Sequence, residues 1–186
     1  MTSAPDTMQN KFWPKALPAV IPVPETSIWA NLDISARRYP HKAAYLFFGK
    51  PLTYGQLHAD AIKLSNWLQS EGFEKGDRLC LYAQNTPAFA LVFYAVLRFG
   101  GVIVPVNPMC KADELAYFVQ DAGCKMICCP SDLLPMASKA REINASEGHA
   151  TRIMAFRYAD HMAPRAELPK DEQPSAEVYA WLHDDG

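Results

Sequence analysis

The side chains most able to do chemistry in this chain are five cysteines, Cys80, Cys110, Cys124, Cys128 and Cys129, and five histidines. A structural metal needs thiolates that converge on one point, which short C-x-x-C loops achieve. Cys124, Cys128 and Cys129 lie close in sequence, but neighbours on a strand point to opposite faces, so Cys128 and Cys129 are not expected to share an ion. Buried thiols packing as small hydrophobes are the expectation. His41, His58, His149, His161 and His183 stand singly, without H-E-x-x-H spacing. Nucleophilic catalysis has no G-x-S-x-G elbow to rest on, and Cys80 falls inside an apolar run where packing is expected. Asp171-Glu172 and Asp184-Asp185 read as solvated charges, not as an acid/base pair.

Nucleotide chemistry needs several backbone N–H groups converging on phosphate, usually from a glycine-rich loop between a strand and a helix, with a Lys and a hydroxyl nearby. The adjacent glycines here, Gly100-Gly101, end a helix and feed a strand, which is the reverse order. No Lys or Ser/Thr follows them directly. The expected site lists are therefore empty: catalytic none, cofactor-binding none, metal none.

The elements around these residues are far more legible. Arg78 to Ala83, Pro87 to Arg98, Val102 to Pro105, Glu114 to Ala122 and Lys125 to Cys129 alternate short apolar runs with helical patterns, the mark of a parallel sheet covered by helices. Thr151 to Phe156 is a fourth strand of the same kind, after a helix through Leu134, Ala137, Ala140 and Arg141 that Ser131 or Asp132 can cap. Upstream, Thr26 or Ser27 caps a helix running through Ile28, Leu32 and Ser35 to Arg38, which Pro40 ends. Ala43 to Phe48 turns back at Gly49-Lys50 through Pro51-Leu52-Thr53 as a hairpin. Tyr54 to Ser70 places Leu57, Ala61, Leu64 and Leu68 on one helix face, with Gly72 as its stop. Thr86 and Pro87 open the next helix well. Lys111-Ala112 is a poor helix entry, so a frayed first turn is expected there. Val178 to Leu182 can be a short helix or a strand piece.

The fold class expected is thus α/β, a partial doubly wound, mostly parallel sheet with flanking helices. Three regions follow: 1–25, an extended Pro-rich arm pinned by Phe12 and Trp13; 26–163, the α/β body; and 164–186, a solvated polar connector. Composition narrows the partners. Net charge is -2 and charged residues make up 20% of the 186, without a Lys/Arg cluster interleaved with aromatics, so nucleic acid is not expected. An odd cysteine count without a signal-peptide pattern favours a reduced, cytoplasmic setting. Ala88 to Val106 is nearly long and apolar enough for a membrane span, but Gly100-Gly101, Pro105 and the β-branched second half fit a buried helix followed by a buried strand.

The wording of several strings adds a resemblance. Leu52-Thr53-Tyr54-Gly55-Gln56-Leu57, Glu74-Lys75-Gly76-Asp77-Arg78-Leu79, Asn85-Thr86-Pro87-Ala88-Phe89, Ala95 to Pro108, Asp113-Glu114-Leu115-Ala116-Tyr117 and Asp121-Ala122-Gly123-Cys124-Lys125 follow in order over Ser27 to Pro130. Together they resemble the opening of the adenylate-forming, AMP-binding enzymes. The upstream Phe12-Trp13-Pro14-Lys15 with Pro18 and Pro22 is more similar to fatty-acyl-CoA synthetases than to peptide-synthetase domains. Phe99, Gly101 and Lys111-Ala112 depart from the family's usual residues.

The resemblance implies the N-terminal subdomain of an acyl-CoA synthetase-like fold. Such an enzyme uses ATP and Mg²⁺ to turn a fatty acid into an acyl-adenylate, then passes the acyl group to CoA. AMP is the leaving group that a free carboxylate lacks. The family's phosphate loop and catalytic Lys find no match here, so the chain alone is expected to be an inactive scaffold that binds no cofactor. Its partner would be the remainder of the enzyme, with no transmembrane segment and peripheral membrane contact left open. The alternatives are a non-catalytic binding or assembly module of the same fold, and another adenylating enzyme of peptide-synthetase or luciferase type. Tyr82 and Phe93, near strand ends, are read as core packing ahead of any role at the border of an acyl channel.

Overall fold

Thr53 begins the α/β body with a reciprocal cap: its hydroxyl accepts from Gln56 N–H at 3.2 Å while its own N–H donates to the Gln56 side chain at 3.0 Å. This was seen in a computed structural model, which describes Pro14, Ala16, residues 23–171 and residues 173–183. The remainder of the arm, with Phe12 and Trp13, and the Asp184-Asp185 pair lie outside the described residues. The elements, in order, are α1 (Ile28–Arg38), β1 (Ala43–Phe47), β2 (Lys50–Thr53), α2 (Tyr54–Ser70), β3 (Arg78–Tyr82), α3 (Pro87–Arg98), β4 (Val102–Val106), α4 (Ala112–Asp121), β5 (Cys124–Pro130), α5 (Leu134–Ser146), β6 (Arg152–Phe156) and α6 (Ala176–Leu182).

β3, β4, β5 and β6 form one wholly parallel sheet in the order β4-β3-β5-β6. Period-two alternation divides its side chains between two cores. Leu79, Leu81, Met126 and Cys128 pack with Leu68, Phe73, Val92 and Val96 of the α2–α3 side. Cys80, Tyr82, Ile127 and Cys129 pack with Leu115, Val119, Ala137 and Ala140 of the α4–α5 side. Cys128 and Cys129 therefore face opposite ways. Ala88 to Val106 splits into helix and strand as its β-branched half requires, and among the described residues no helix is long and apolar enough to cross a membrane.

β1 and β2 make a separate antiparallel hairpin. Its two-residue turn, Phe48-Gly49, has φ of 41° and 74°, the primed geometry that matches strand twist. Phe48 is held in this left-handed conformation from outside, since its carbonyl accepts from Ala163 N–H at 3.2 Å.

Four details differ from the sequence expectations. Lys111 has no side-chain cap to offer, yet α4 starts firmly, because Lys111 N–H donates to the Glu114 carboxylate at 2.9 Å. Ser131 and Asp132 do not cap α5; with Leu133 they form a 3-10 turn, and α5 begins at Leu134 with Pro135 in its first turn. The polar tail is not wholly solvated, since Leu168 and Leu182 are buried, the latter beneath Tyr158 and Met162. Pro105 does not end its strand. Val102 N–H donates to Asp77 O at 2.8 Å, so the alternation of parallel strands turns the backbone of Ile103 and Pro105 to the outer side of β4.

Candidate functional site at the carboxyl edge of the sheet

In an open parallel sheet, ligands gather outside the carboxyl ends of the strands where the winding direction reverses. Here β3 connects to β4 on one side, and the next crossover carries the chain past β3 to β5 on the other. The rim is built from Ala83, Gln84 and Asn85 after β3, Asn107 and Pro108 after β4, Ser131 and Asp132 after β5, and Tyr158 after β6. A cavity of about 510 Å³ opens between the β3 and β4 loops. Through Asn85 and Phe89 it adjoins a groove of about 440 Å³ between β1 and α3.

Several polar groups on this rim are engaged, whereas Gln84 and Asn85 are exposed. Thr86 Oγ accepts from Phe89 N–H at 3.3 Å, capping α3. Asn107 Oδ1 accepts from Met109 N–H at 2.9 Å and shapes its own turn. Tyr82, only 1% exposed, directs its hydroxyl at Cys110 O (2.7 Å) and Pro108 O (3.1 Å), tying the loop after β4 to the end of β3. Burial, with the nearby Cys110 thiol adding to it, pushes the Tyr82 phenol up to about 12. Asp132 accepts from Trp181 Nε1 at 2.7 Å, and Tyr158 lies against the Trp181 ring with centroids 4.9 Å apart. Its second carboxylate oxygen and the Tyr158 hydroxyl are both buried without a partner. Burial and then the Asp132 charge raise the Tyr158 phenol. Phe93 lines the groove.

The cysteines behave as the sequence suggests. All five are free, and burial raises every thiol, Cys124 to about 11 and Cys129 to about 12. At neutral pH they are inert thiols. Among the described residues no group of three His, Cys, Asp or Glu side chains could hold a metal ion. The His58 ring meets Asp33 at 3.1 Å and stacks on Trp29 with centroids 5.0 Å apart, joining α1 to α2. His149 reaches Cys124 O at 3.0 Å. Burial lowers His161 from its ordinary value. The His58–Asp33 pair was not legible in sequence, although Trp29 and Asp33 lie one helical turn apart and mark the contact face.

Among the described residues the rim forms no glycine-rich phosphate cradle. Gly100-Gly101 sits at the amino edge of β4, away from the rim, and it is there for packing. A Cβ on Gly101 would come within 2.6 Å of the Phe99 ring and 2.8 Å of Val96, and Gly100 has φ of 79°. The described loops on the rim carry no glycine, and Thr86 and Asn107 commit their side chains to a cap and a turn. These residues do not fit ATP or Mg²⁺ by themselves.

A family model described as AMP-binding enzyme matches residues 32–184. The chain belongs to the AMP-binding enzyme family. A long-chain-fatty-acid–CoA ligase of Bacillus subtilis is 36% identical over 132 residues, covering 71% of this chain and 24% of the ligase. The mitochondrial medium-chain acyl-CoA ligase ACSF2 of Mus musculus is 34% identical over 107 residues, covering 56% of this chain and 17% of its own length. Among solved structures, the N-terminal domain of FACL13 from Mycobacterium tuberculosis superposes with a TM-score of 0.64 at 28% identity, over 82% of this chain and 38% of that one. The chain thus spans about a quarter or less of the length of these two ligases. The family strings fall on caps and turns: Thr53 begins α2, Gly76 precedes β3, Thr86-Pro87 begins α3, and Asn107-Pro108 follows β4.

Proposed function

We propose that this chain furnishes the N-terminal scaffold of an AMP-forming ligase that activates a medium- or long-chain fatty acid with ATP and Mg²⁺ and transfers it to CoA. The observation that supports this most strongly is the family match over residues 32–184, joined to relatives whose names specify fatty-acid–CoA ligation. The geometry agrees with a scaffold role. A cap and a turn take up the Thr86 and Asn107 side chains, the Tyr82 hydroxyl ties down the loop after β4, and burial keeps the thiols protonated. In this reading the nucleotide, metal and CoA are held by the rest of the enzyme, which is also this chain's partner. The whole protein works in the cytoplasm without nucleic acid.

The test is direct. The purified chain, given ATP, Mg²⁺ and a fatty acid, is expected to release no pyrophosphate and form no acyl-adenylate above a boiled control. Turnover that survives repeated purification overturns the scaffold reading. Joining the chain to the remaining portion of a related ligase should restore CoA-dependent thioester formation. A hybrid that folds but stays inactive with every fatty acid tried counts against fatty-acid ligation.

A further inference from the structure

The groove between β1 and α3 is walled by Tyr45, Leu46 and Phe47 on the strand side and by Phe89, Phe93 and Tyr94 on the helix side, with no charged residue in its lining among the described residues. Leu46 is 73% exposed and Tyr45 39%. The backbone here is open as well. In a hairpin with a two-residue primed turn, Phe47 and Lys50 form the hydrogen-bonded closing pair, so Leu46, opposite Pro51, turns its N–H and C=O away from β2. Neither group meets a backbone partner among the described residues. On β2 the matching outward position is Pro51, which has no N–H. The outer side of β4 is interrupted in the same way by Pro105. Of the outward positions Leu46, Pro51 and Pro105, Leu46 alone carries an N–H.

An aromatic-walled groove beside a strand edge suits an extended or polyproline-type segment, whose preset backbone loses little entropy on docking. The chain carries such a segment: Phe12-Trp13-Pro14, then Pro18 and Pro22. It also leaves the body at the right place. Asn31, Leu32 and Ser35 of α1 line a cavity whose far wall is Tyr45 and Tyr94, two residues that also line the groove. The stretch from Trp13 to Ile28 reaches about 50 Å when extended, ample to double back along α1. We propose that the chain's own N-terminal arm, anchored by Phe12 and Trp13, occupies the groove between β1 and α3 and covers the Leu46 edge. The proposal does not depend on the ligase reading.

Lys11 and Lys15 flank the anchors, so trypsin reports their seating. Two variants of the intact chain probe it: Leu46→Lys puts a charge at an already exposed position, and the double change Phe12→Ser, Trp13→Ser removes the anchors. Cleavage after Lys15 should be about tenfold faster in Leu46→Lys than in the parent, because the seat holds the arm closed against protease. The anchorless variant should bind an apolar fluorescent dye that the parent excludes. Circular dichroism should match in all three, and Tyr45→Lys replaces Leu46→Lys if the latter fails to fold. Equal cleavage of parent and groove variant, or equal dye binding with and without the anchors, overturns the proposal. Protection that fades on dilution, with a dimer in sedimentation, also overturns it, because a second copy then fills the groove.

Discussion

At the scale of single residues, the thiols make an alkaline prediction. Burial places Cys124 near 11 and Cys129 near 12 in the folded chain, against about 9 when unfolded. The unfolded chain therefore loses these protons first as pH rises. The stabilisation from keeping them neutral is complete below pH 9 and is lost progressively through 11 to 12. Denaturant unfolding from pH 7 to 11 should show a flat region followed by a decline, and Cys124→Ala should make the decline shallower. An unchanged slope in that variant would remove Cys124 from the account. Tyr82 makes a second prediction. Replacing it with Phe leaves the carbonyls of Pro108 and Cys110 without their donor and should cost about 1–3 kcal/mol. Little of this was readable beforehand. The cysteines' burial follows from their apolar neighbours, but the partners of Tyr82, His58 and Asp132 lie 28, 25 and 49 residues away in sequence, and no local pattern encodes them.

At the scale of elements, local chemistry was a good guide wherever the satisfying group lies within one turn. Thr53 and Thr86 cap α2 and α3 through residues three positions on, and their types and spacing announce it. Removing the Thr86 hydroxyl with Thr86→Ala should cost about 1 kcal/mol in unfolding free energy. The entry to α4 is less plain from residue types, because Lys111 is a poor cap by its side chain, whereas the donor is its N–H and the acceptor is Glu114. Glu114→Ala should accordingly fray α4, seen as faster amide exchange in its first turn. The β1–β2 turn offers a sharper test. Gly49 has φ of 74°, and a Cβ there would run into Leu168 Cδ2. Gly49→Ala should cost about 1–2 kcal/mol for the left-handed backbone alone. The Leu168 methyl can swing aside, so the second symptom is local: quicker exchange at the Ala163 amide that bonds Phe48 O. An effect confined to global stability would show that the tail does not brace the turn.

At the scale of the whole molecule, sequence periodicity was enough for the parallel sheet and its helices, because a buried parallel strand has little freedom in composition. It could not disclose the groove between β1 and α3, whose walls are about forty residues apart and meet only after folding. Nor could it show that the tail returns to the sheet. Trp181 donates to Asp132 across that junction, so Trp181→Phe should deprive the Asp132 carboxylate of that donor and loosen α6. Near-ultraviolet circular dichroism and exchange in residues 176–182 would register the change, while β3 and β5 should remain protected.

The proline that breaks β4's outward side also gives the sheet a direction. A newcomer lying beside β4 would meet Ile103 and then, two positions on, a nitrogen with nothing to give, so lengthening on that flank is discouraged from the outset. β6, at the opposite boundary, has no proline among Arg152 to Phe156. Any larger assembly built on these four strands would then recruit its fifth beside β6, and the architecture could widen from one side only.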